Sequence, residues 1–359
     1  MEYRQLGSSG LRVSKYLLGS LTFSGANGFD KLGTVDVPTA KRMFDMAFDS
    51  GVNVIDTANL YSMGGAEEVV GEALKGKRDQ ALIFSKVRSV MGDGPNEGGA
   101  SRHHIISECE NSLRRLQTDH IDLYQLHNWD GETPIEETLA ALEHLVQSGK
   151  VRYVGTSNFA GWQMTKTLYT ADLMNLTRPV SQQIYYTPES REAEYEMIPM
   201  GIDQGLGTLI WSPLGEGLLS GKVRRGKEIP SSMRQGTDWP EPYVRDWDRA
   251  YDIIDLLVEV GEHHGVSAAQ VVLAWLSERP GVTSVIVGAR NEAQLSDNLA
   301  SLELKLSEEE TQRIEELTRP EALYPFWHRT LQAMDRPDPA EAALLDQCQK
   351  TMKRKGQAG

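Results

Sequence analysis

Short apolar runs alternate along this chain with longer stretches in which apolar residues recur every three or four positions. The short runs read as β-strands and the long ones as amphipathic helices, and their alternation implies parallel strands joined by crossover helices. Eight candidate strands stand out, at residues 16–19, 52–56, 81–86, 121–126, 151–156, 180–185, 208–211 and 284–287. Between them Ala40, Met43, Phe44, Ala47 and Phe48 share one helical face, as do Ile135, Leu139, Leu142 and Val146. Helix starts carry capping boxes at Thr133/Glu136, Ser267/Gln270 and Ser307/Glu310, the first with Pro134 at its opening position. Eight such units predict a (β/α)8 TIM barrel. The chain length of 359 fits one such domain, with a C-terminal extension from about residue 319.

Both ends of this pattern carry additions. Residues 3–6 and 11–13 flank the turn-rich Gly7-Ser8-Ser9-Gly10, which predicts a β-hairpin plugging the lower mouth of the barrel. Residues 215–249, rich in Gly, Pro and charge, and the tail after Thr318 break the alternation. Trp239, Tyr243, Tyr324, Phe326 and Trp327 make these segments too aromatic for disorder, so they are expected to act as lids. The last fifteen residues are expected to fray.

Composition narrows the function. Lys plus Arg number 37 against 51 Asp plus Glu, a net charge of −14, and no basic run is longer than Lys353-Arg354-Lys355. Nucleic-acid binding is disfavoured, although a local basic pocket for one anionic cofactor stays open. Cys109 and Cys348, without CxxC spacing, argue against a disulfide framework or a zinc site and for a reducing cytoplasm. No apolar run of signal-peptide or membrane-span length occurs, so a cytoplasmic protein without membrane partners is expected.

The chemistry is concentrated at strand ends. Asp56 closes the second candidate strand, Tyr61 follows in the loop, Lys86 closes the third strand, and His127 follows the fourth. Barrel strands lie about 4.8 Å apart and their C-terminal ends share one face, so the four side chains can converge. A phenol with a pKa near ~10 is a weak donor at neutral pH, and a neighbouring ammonium favours its ionised form. Lys86 is expected to supply that cation, Asp56 to keep it charged and aimed, and His127 to donate to a substrate oxygen gaining negative charge. Each residue alone has a structural explanation, as a turn cap, a half-buried ring, a solvated strand end or a backbone partner. All four at the ends of three successive strands point to proton donation in carbonyl reduction. No metal is expected.

From about Tyr3 to about Thr318 the chain resembles the aldo-keto reductases, through VNVIDTANLYSMGGAEEVVGEAL, IDLYQLHNWD, GKVRYVGTSNF, WSPLGEGLLSGK and GARNEAQLSDNL in order. The resemblance implies a nicotinamide-dependent oxidoreductase acting on a small carbonyl or alcohol, with NADPH binding first and Tyr61 as general acid in reduction and base in oxidation. It assigns cofactor contacts to Ser20, Leu21 and Asp56, to Ser157, Asn158 and Gln183 at the carboxamide, and to Trp211 stacked on the nicotinamide. Ser212, Pro213, Leu214 and Gly217, in a loop whose backbone N–H groups could wrap a pyrophosphate, are assigned there with Lys222 and Arg234. Gly288 and Arg290 are assigned to the adenosine phosphates, with the arginine fork suited to a 2′-phosphate, and Gln294 and Asn298 to adenine. No GxGxxG motif follows a strand, so a Rossmann domain is disfavoured. Ser85, Leu21 and Val287 depart from frequent family residues and point to longer microbial and channel-associated relatives. The alternative reading is a redox-sensing regulatory subunit resembling channel β-subunits, against which His127 argues. The substrate pocket is expected near Phe23, residues 128–130, residues 215–249 and residues 324–328.

Overall fold

The structure is a computed structural model that describes residues 1–230, 233–237 and 240–354. Trp239, one of the expected lid aromatics, lies outside the described residues. Two antiparallel strands come first, β1 (Tyr3–Gln5) and β2 (Arg12–Ser14). The parallel strands follow: β3 (Tyr16–Gly19), β4 (Val54–Asp56), β5 (Leu82–Val87), β6 (Ile121–Leu126), β7 (Val151–Ser157), β8 (Ser181–Tyr185), β9 (Gly207–Trp211) and β10 (Val282–Gly288). They close in sequence order into an eight-stranded barrel, β10 returning to β3 through Val287 opposite Leu18 and Gly288 opposite Gly19. Every expected barrel strand is present. The second starts at Val54 because Asn53 serves the hairpin: its Oδ1 accepts from Ser14 N at 2.8 Å and its own N–H donates to Ser14 Oγ.

The crossovers are α1 (Val37–Asp49), α2 (Gly65–Ala73), α3 (Arg102–Leu116), α4 (Ile135–Gln147), α5 (Gly161–Met174), α6 (Met197–Asp203), α7 (Trp247–His264) and α8 (Ala268–Ser277). After β10 come α9 (Glu292–Ala300), α10 (Glu308–Thr318), α11 (Phe326–Gln332) and α12 (Ala342–Arg354). The periodic faces are the buried ones: Ala40, Met43, Phe44 and Ala47 on α1, and Ile135, Leu139 and Leu142 on α4. Asp36 caps α1 by accepting from Thr39 N, satisfying one of the open donors of the first turn. Ser307 and Glu310 form both halves of a capping box, whereas Ser267 forms one half and Gln270 donates instead to Asp297. The box expected at Thr133 is absent. Its hydroxyl donates to Asp130 at 2.7 Å, and α4 begins after Pro134 without a side-chain cap.

Two-residue alternation explains the barrel interior. Leu17, Val54, Phe84, Leu123, Leu209 and Ile286 form one apolar layer, joined by Leu6 and Val13 of the hairpin segment. Each such buried side chain stabilises the fold by about 1.5–3 kcal/mol. Gly7 seats the hairpin turn against the barrel: at its φ of +57°, an added Cβ would lie 2.5 Å from Val180 O and 2.6 Å from Gly207 N. Two positions further along the same strands the inward residues become Gly19, Asp56, Lys86, Gln125, Trp211 and Gly288. The polar mouth is the next layer of the same alternation.

The tail differs from expectation. Of the fifteen residues expected to fray, 355–359 lie outside the described residues; the others belong to α12, which continues to Arg354 and buries Leu344, Leu345, Cys348 and Met352. Phe326 of α11 packs into this cluster and against Tyr195, ring centroids 5.3 Å apart. Cys109 and Cys348 are free and buried. No helix of the described residues is long and apolar enough to cross a membrane.

Candidate active site

Lys86 is the hub of the mouth. It is wholly buried, and its ammonium donates to Asp56 Oδ1 at 2.6 Å, to the Thr57 carbonyl at 2.9 Å and to Tyr61 Oη at 3.2 Å. Three acceptors satisfy its three donors. Asp56 is held from its other side, Oδ2 accepting from Gln183 Nε2 at 2.9 Å. Tyr61 opens a short 3₁₀ turn, Tyr61–Gly64, in which Ser62 and Met63 both have φ of 50°. The Ser62 hydroxyl steadies that strained turn by donating to Phe23 O and accepting from Gly25 N. His127 stands edge-on to Tyr61, ring centroids 5.9 Å apart, with its carbonyl bonded to Asn158 Nδ2.

The electrostatics revise one expectation. Burial raises the Tyr61 pKa above its ordinary value, Lys86 pulls it down, Asp56 pushes it up, and the net direction is upward. The ammonium therefore offsets the cost of burying the phenol rather than making it a stronger acid than free tyrosine. Lys86 itself is opposed by burial, yet the Asp56 carboxylate and the Tyr61 oxygen raise its pKa, so it stays charged. Burial, then repulsion from Lys86 and Arg88, pushes His127 down to about 3. The imidazole is neutral at physiological pH, with one N–H to give.

These groups floor a cavity of about 1040 Å³. Asp56, Tyr61 and His127 line it, and Lys86 lies beneath Tyr61. Every expected cofactor residue lines it too: Ser20, Leu21, Ser157, Asn158, Gln183, Trp211, Ser212, Pro213, Leu214, Gly217, Lys222, Arg234, Gly288, Arg290, Gln294 and Asn298. Asn158, at φ 57°, braces Trp211 by accepting from its indole N–H at 2.9 Å. Gly155 keeps this wall open: a Cβ there would meet Ser181 Oγ at 2.5 Å and Gln125 Cγ at 3.2 Å.

Several details differ from the sequence reading. The N–H groups of Gly215, Gly217, Leu218 and Leu219 bond to carbonyls within the 212–217 turn, so side chains carry most of the polarity that loop offers. Arg290 reaches back to the carbonyls of Leu32 and Lys31, and its own N–H is taken by Gln294 Oε1. Phe23 is core, packed on Phe44, and the cavity wall there is Phe29. Of residues 128–130 only Asn128 lines the cavity, and Tyr324, Trp327 and His328 do not. The 215–249 segment does wall it, through Glu216, Pro230, Met233, Arg234 and Glu241.

Sequence reasoning missed Glu216, which pairs with Arg234 and accepts from Ser212. It also missed Asp297, although positions 294, 297 and 298 share a helix face and two of them were already candidates. Beneath the site a buried network was invisible. Glu67 accepts from Ser85 Oγ and Arg115 Nε, and Glu108 accepts from Asn59 and Arg115, bracing the strand of Lys86 and the loop of Tyr61.

The cavity suits a long anionic ligand. Burial first and repulsion from Arg290 second push Arg234 down to about 10, and the two guanidinium groups share one wall with Glu216, which pairs with Arg234. Ser20 Oγ and His127 Nδ1 are buried beside the cavity without a hydrogen-bond partner among the described residues. Polar atoms so placed await a ligand or solvent.

Comparison with known proteins identifies the family. Residues 17–319 match the model of the aldo/keto reductase family. The chain is 38% identical over 321 residues to the uncharacterized oxidoreductase YrpG of Bacillus subtilis, covering 86% of this chain and 93% of that protein. It is 35% identical over 312 residues to a probable voltage-gated potassium channel subunit beta of Arabidopsis thaliana, covering 85% and 92%. Versiconal hemiacetal acetate reductase of Aspergillus parasiticus is 34% identical over 349 residues, covering 90% and 99%.

Proposed function

This chain belongs to the aldo/keto reductase family, a family of oxidoreductases, and from that premise we propose that it reduces an aldehyde or ketone reversibly with NADPH. The observation that carries the reading is the single ammonium of Lys86 bonded at once to Asp56 and to the Tyr61 hydroxyl. Tyr61 is the general acid: its high pKa keeps it protonated at neutral pH, and the ammonium stabilises the phenolate left when the proton goes to the carbonyl oxygen. His127, neutral and adjacent, donates to the same oxygen. Asp56 keeps Lys86 charged and is itself aimed by Gln183.

A reduced nicotinamide supplies the hydride when bound. Ser157, Asn158, Gln183 and Trp211 would hold its carboxamide and ring, and Ser212, Lys222 and Arg234 its pyrophosphate. Arg290, Gln294 and Asn298 would hold the adenosine end, with the Arg290 fork favouring the phosphorylated cofactor. Purified protein should oxidise NADPH in the presence of some members of a broad aldehyde and ketone panel, read by absorbance. Tight NADPH binding with no turnover on any member would overturn the reading in favour of a redox-sensing subunit, the role suggested by the relatives named as channel subunits.

A further inference from the structure

Away from the cavity, the last turn of α7 and the first of α10 bring together His263, His264 and Glu310, none of which lines the cavity. Consecutive residues on a helix point about 100° apart, yet both imidazoles here aim a nitrogen at the same carboxylate. His263 Nδ1 lies 2.9 Å from Glu310 Oε1, and His264 Nε2 lies 2.9 Å and 3.0 Å from its two oxygens. One ligand atom from each residue falls within 4.8 Å of the others. We propose that His263, His264 and Glu310 form a binding site for a divalent transition-metal ion of the Zn²⁺ class, which ties the end of α7 to the start of α10.

The chemistry of the donors supports this. Two imidazole nitrogens and a carboxylate oxygen are the ligands that Zn²⁺ takes, at about 2.0–2.2 Å, with a fourth tetrahedral position left for water or another donor. Tetrahedral ligand atoms at that radius stand roughly 3.4 Å apart, so opening the present contacts by about half an ångström admits the ion. Glu310 is pre-aimed: Ser307 N and Oγ donate to its Oε2 at 2.8 Å and 2.9 Å, the outer contact that ligating carboxylates use. The exposed face of His263, whose side chain is 77% accessible, gives the ion an entry path. The negative end of the α7 dipole favours a cation there and the positive end of the α10 dipole opposes it, so the ligands rather than the helix ends carry the site. Binding requires only that each ring turn a lone pair rather than an N–H to the centre, so its proton moves to the other ring nitrogen through solvent. No cysteine takes part, and Glu310 lies 46 residues from His264, so spacing did not reveal the group.

The test is titration of the full-length protein, stripped with chelator, with ZnCl₂ by calorimetry. The expected result is one equivalent bound per chain, with a melting temperature raised by Zn²⁺ and returned to its starting value by EDTA. His264→Ala and Glu310→Gln should each weaken binding at least about tenfold, since loss of even an outer-shell contact costs 10–100-fold. Glu310→Gln also disturbs the α10 cap, so the exposed His263→Ala provides the variant that leaves the fold intact, and it too should weaken binding at least tenfold. His103→Ala, in the other adjacent histidine pair, should leave binding unchanged. Absence of stoichiometric uptake, uptake untouched by His263→Ala and His264→Ala, or uptake lost with His103→Ala would each overturn the assignment.

Discussion

Replacing Tyr61 with Phe separates the acid from its supports. The change deletes one hydroxyl and leaves Lys86 with Asp56 and the Thr57 carbonyl, two of its three acceptors, including the charged one. The stability cost is that of one modest hydrogen bond, about 1 kcal/mol. The kinetic cost is that of a general acid, roughly 100- to 10,000-fold in kcat, or about 3–5 kcal/mol at the transition state. Activity should therefore fall far more than stability. The measurements are kcat from NADPH absorbance, cofactor Kd from quenching of intrinsic tryptophan fluorescence, and thermal melting. The parent enzyme's pH profile adds a second reading. Because burial outweighs Lys86 and holds the phenol above its ordinary value of 10.0, Tyr61 stays in the acid form across neutral and mildly alkaline pH. Reduction should show no loss from this group below about pH 10, while oxidation, which needs the phenolate, should rise with pH. A folded Tyr61→Phe protein with kcat within about threefold of the parent would refute the reasoning.

Other consequences follow from the same geometry. Lys86→Met leaves the Asp56 carboxylate buried without its cation, so unfolding in urea should show a loss of about 3–5 kcal/mol, with turnover abolished. An unchanged midpoint would mean that the pair is not buried as described. Arg290→Ala should weaken NADPH roughly 10- to 100-fold more than NADH, the worth of charge-assisted bonds to a 2′-phosphate. Equal losses for both nucleotides in a binding titration would remove Arg290 from that role. His127 titrates near 6.5 when unfolded and at about 3 when folded. The unfolded chain takes up the proton first, so stability is full above pH 6.5 and declines as pH falls toward 3, by up to about 5 kcal/mol. Urea melts at pH 7, 5 and 4 should show that decline, and His127→Gln should make it shallower.

The barrel was legible because each strand is a short apolar run, several of them closed at or next to Gly19, Asp56, Lys86 and His127, and two-residue alternation leaves little freedom in register. The mouth was legible for the same reason: a polar residue two places beyond an inward Val54 or Phe84 must face the same centre. What escaped depends on partners distant in sequence. Glu67, Glu108 and Arg115 look like ordinary charges on amphipathic helices until α2 and α3 pack beneath Lys86. Thr133 has the local signature of a cap, but Asp130 competes for its hydroxyl and wins. Aromatic richness was read as a lid over the whole tail, whereas Phe326 spends its ring on Tyr195 and α12. The sign of the Tyr61 shift was misjudged because sequence names the neighbouring cation but not the depth of burial.

Leu6 and Val13, with Gly7 locked against Val180 and Gly207, stopper the far end of the cylinder. What remains among the described residues is a vessel whose mouth is the polar end of the barrel. If Tyr61 is the acid proposed above, traffic through that mouth is shared: the proton it gives up would be restored from bulk water along the route by which an alcohol product leaves. Recharging the acid and emptying the vessel would thus be one event, and a bulky product lingering in the mouth would delay both.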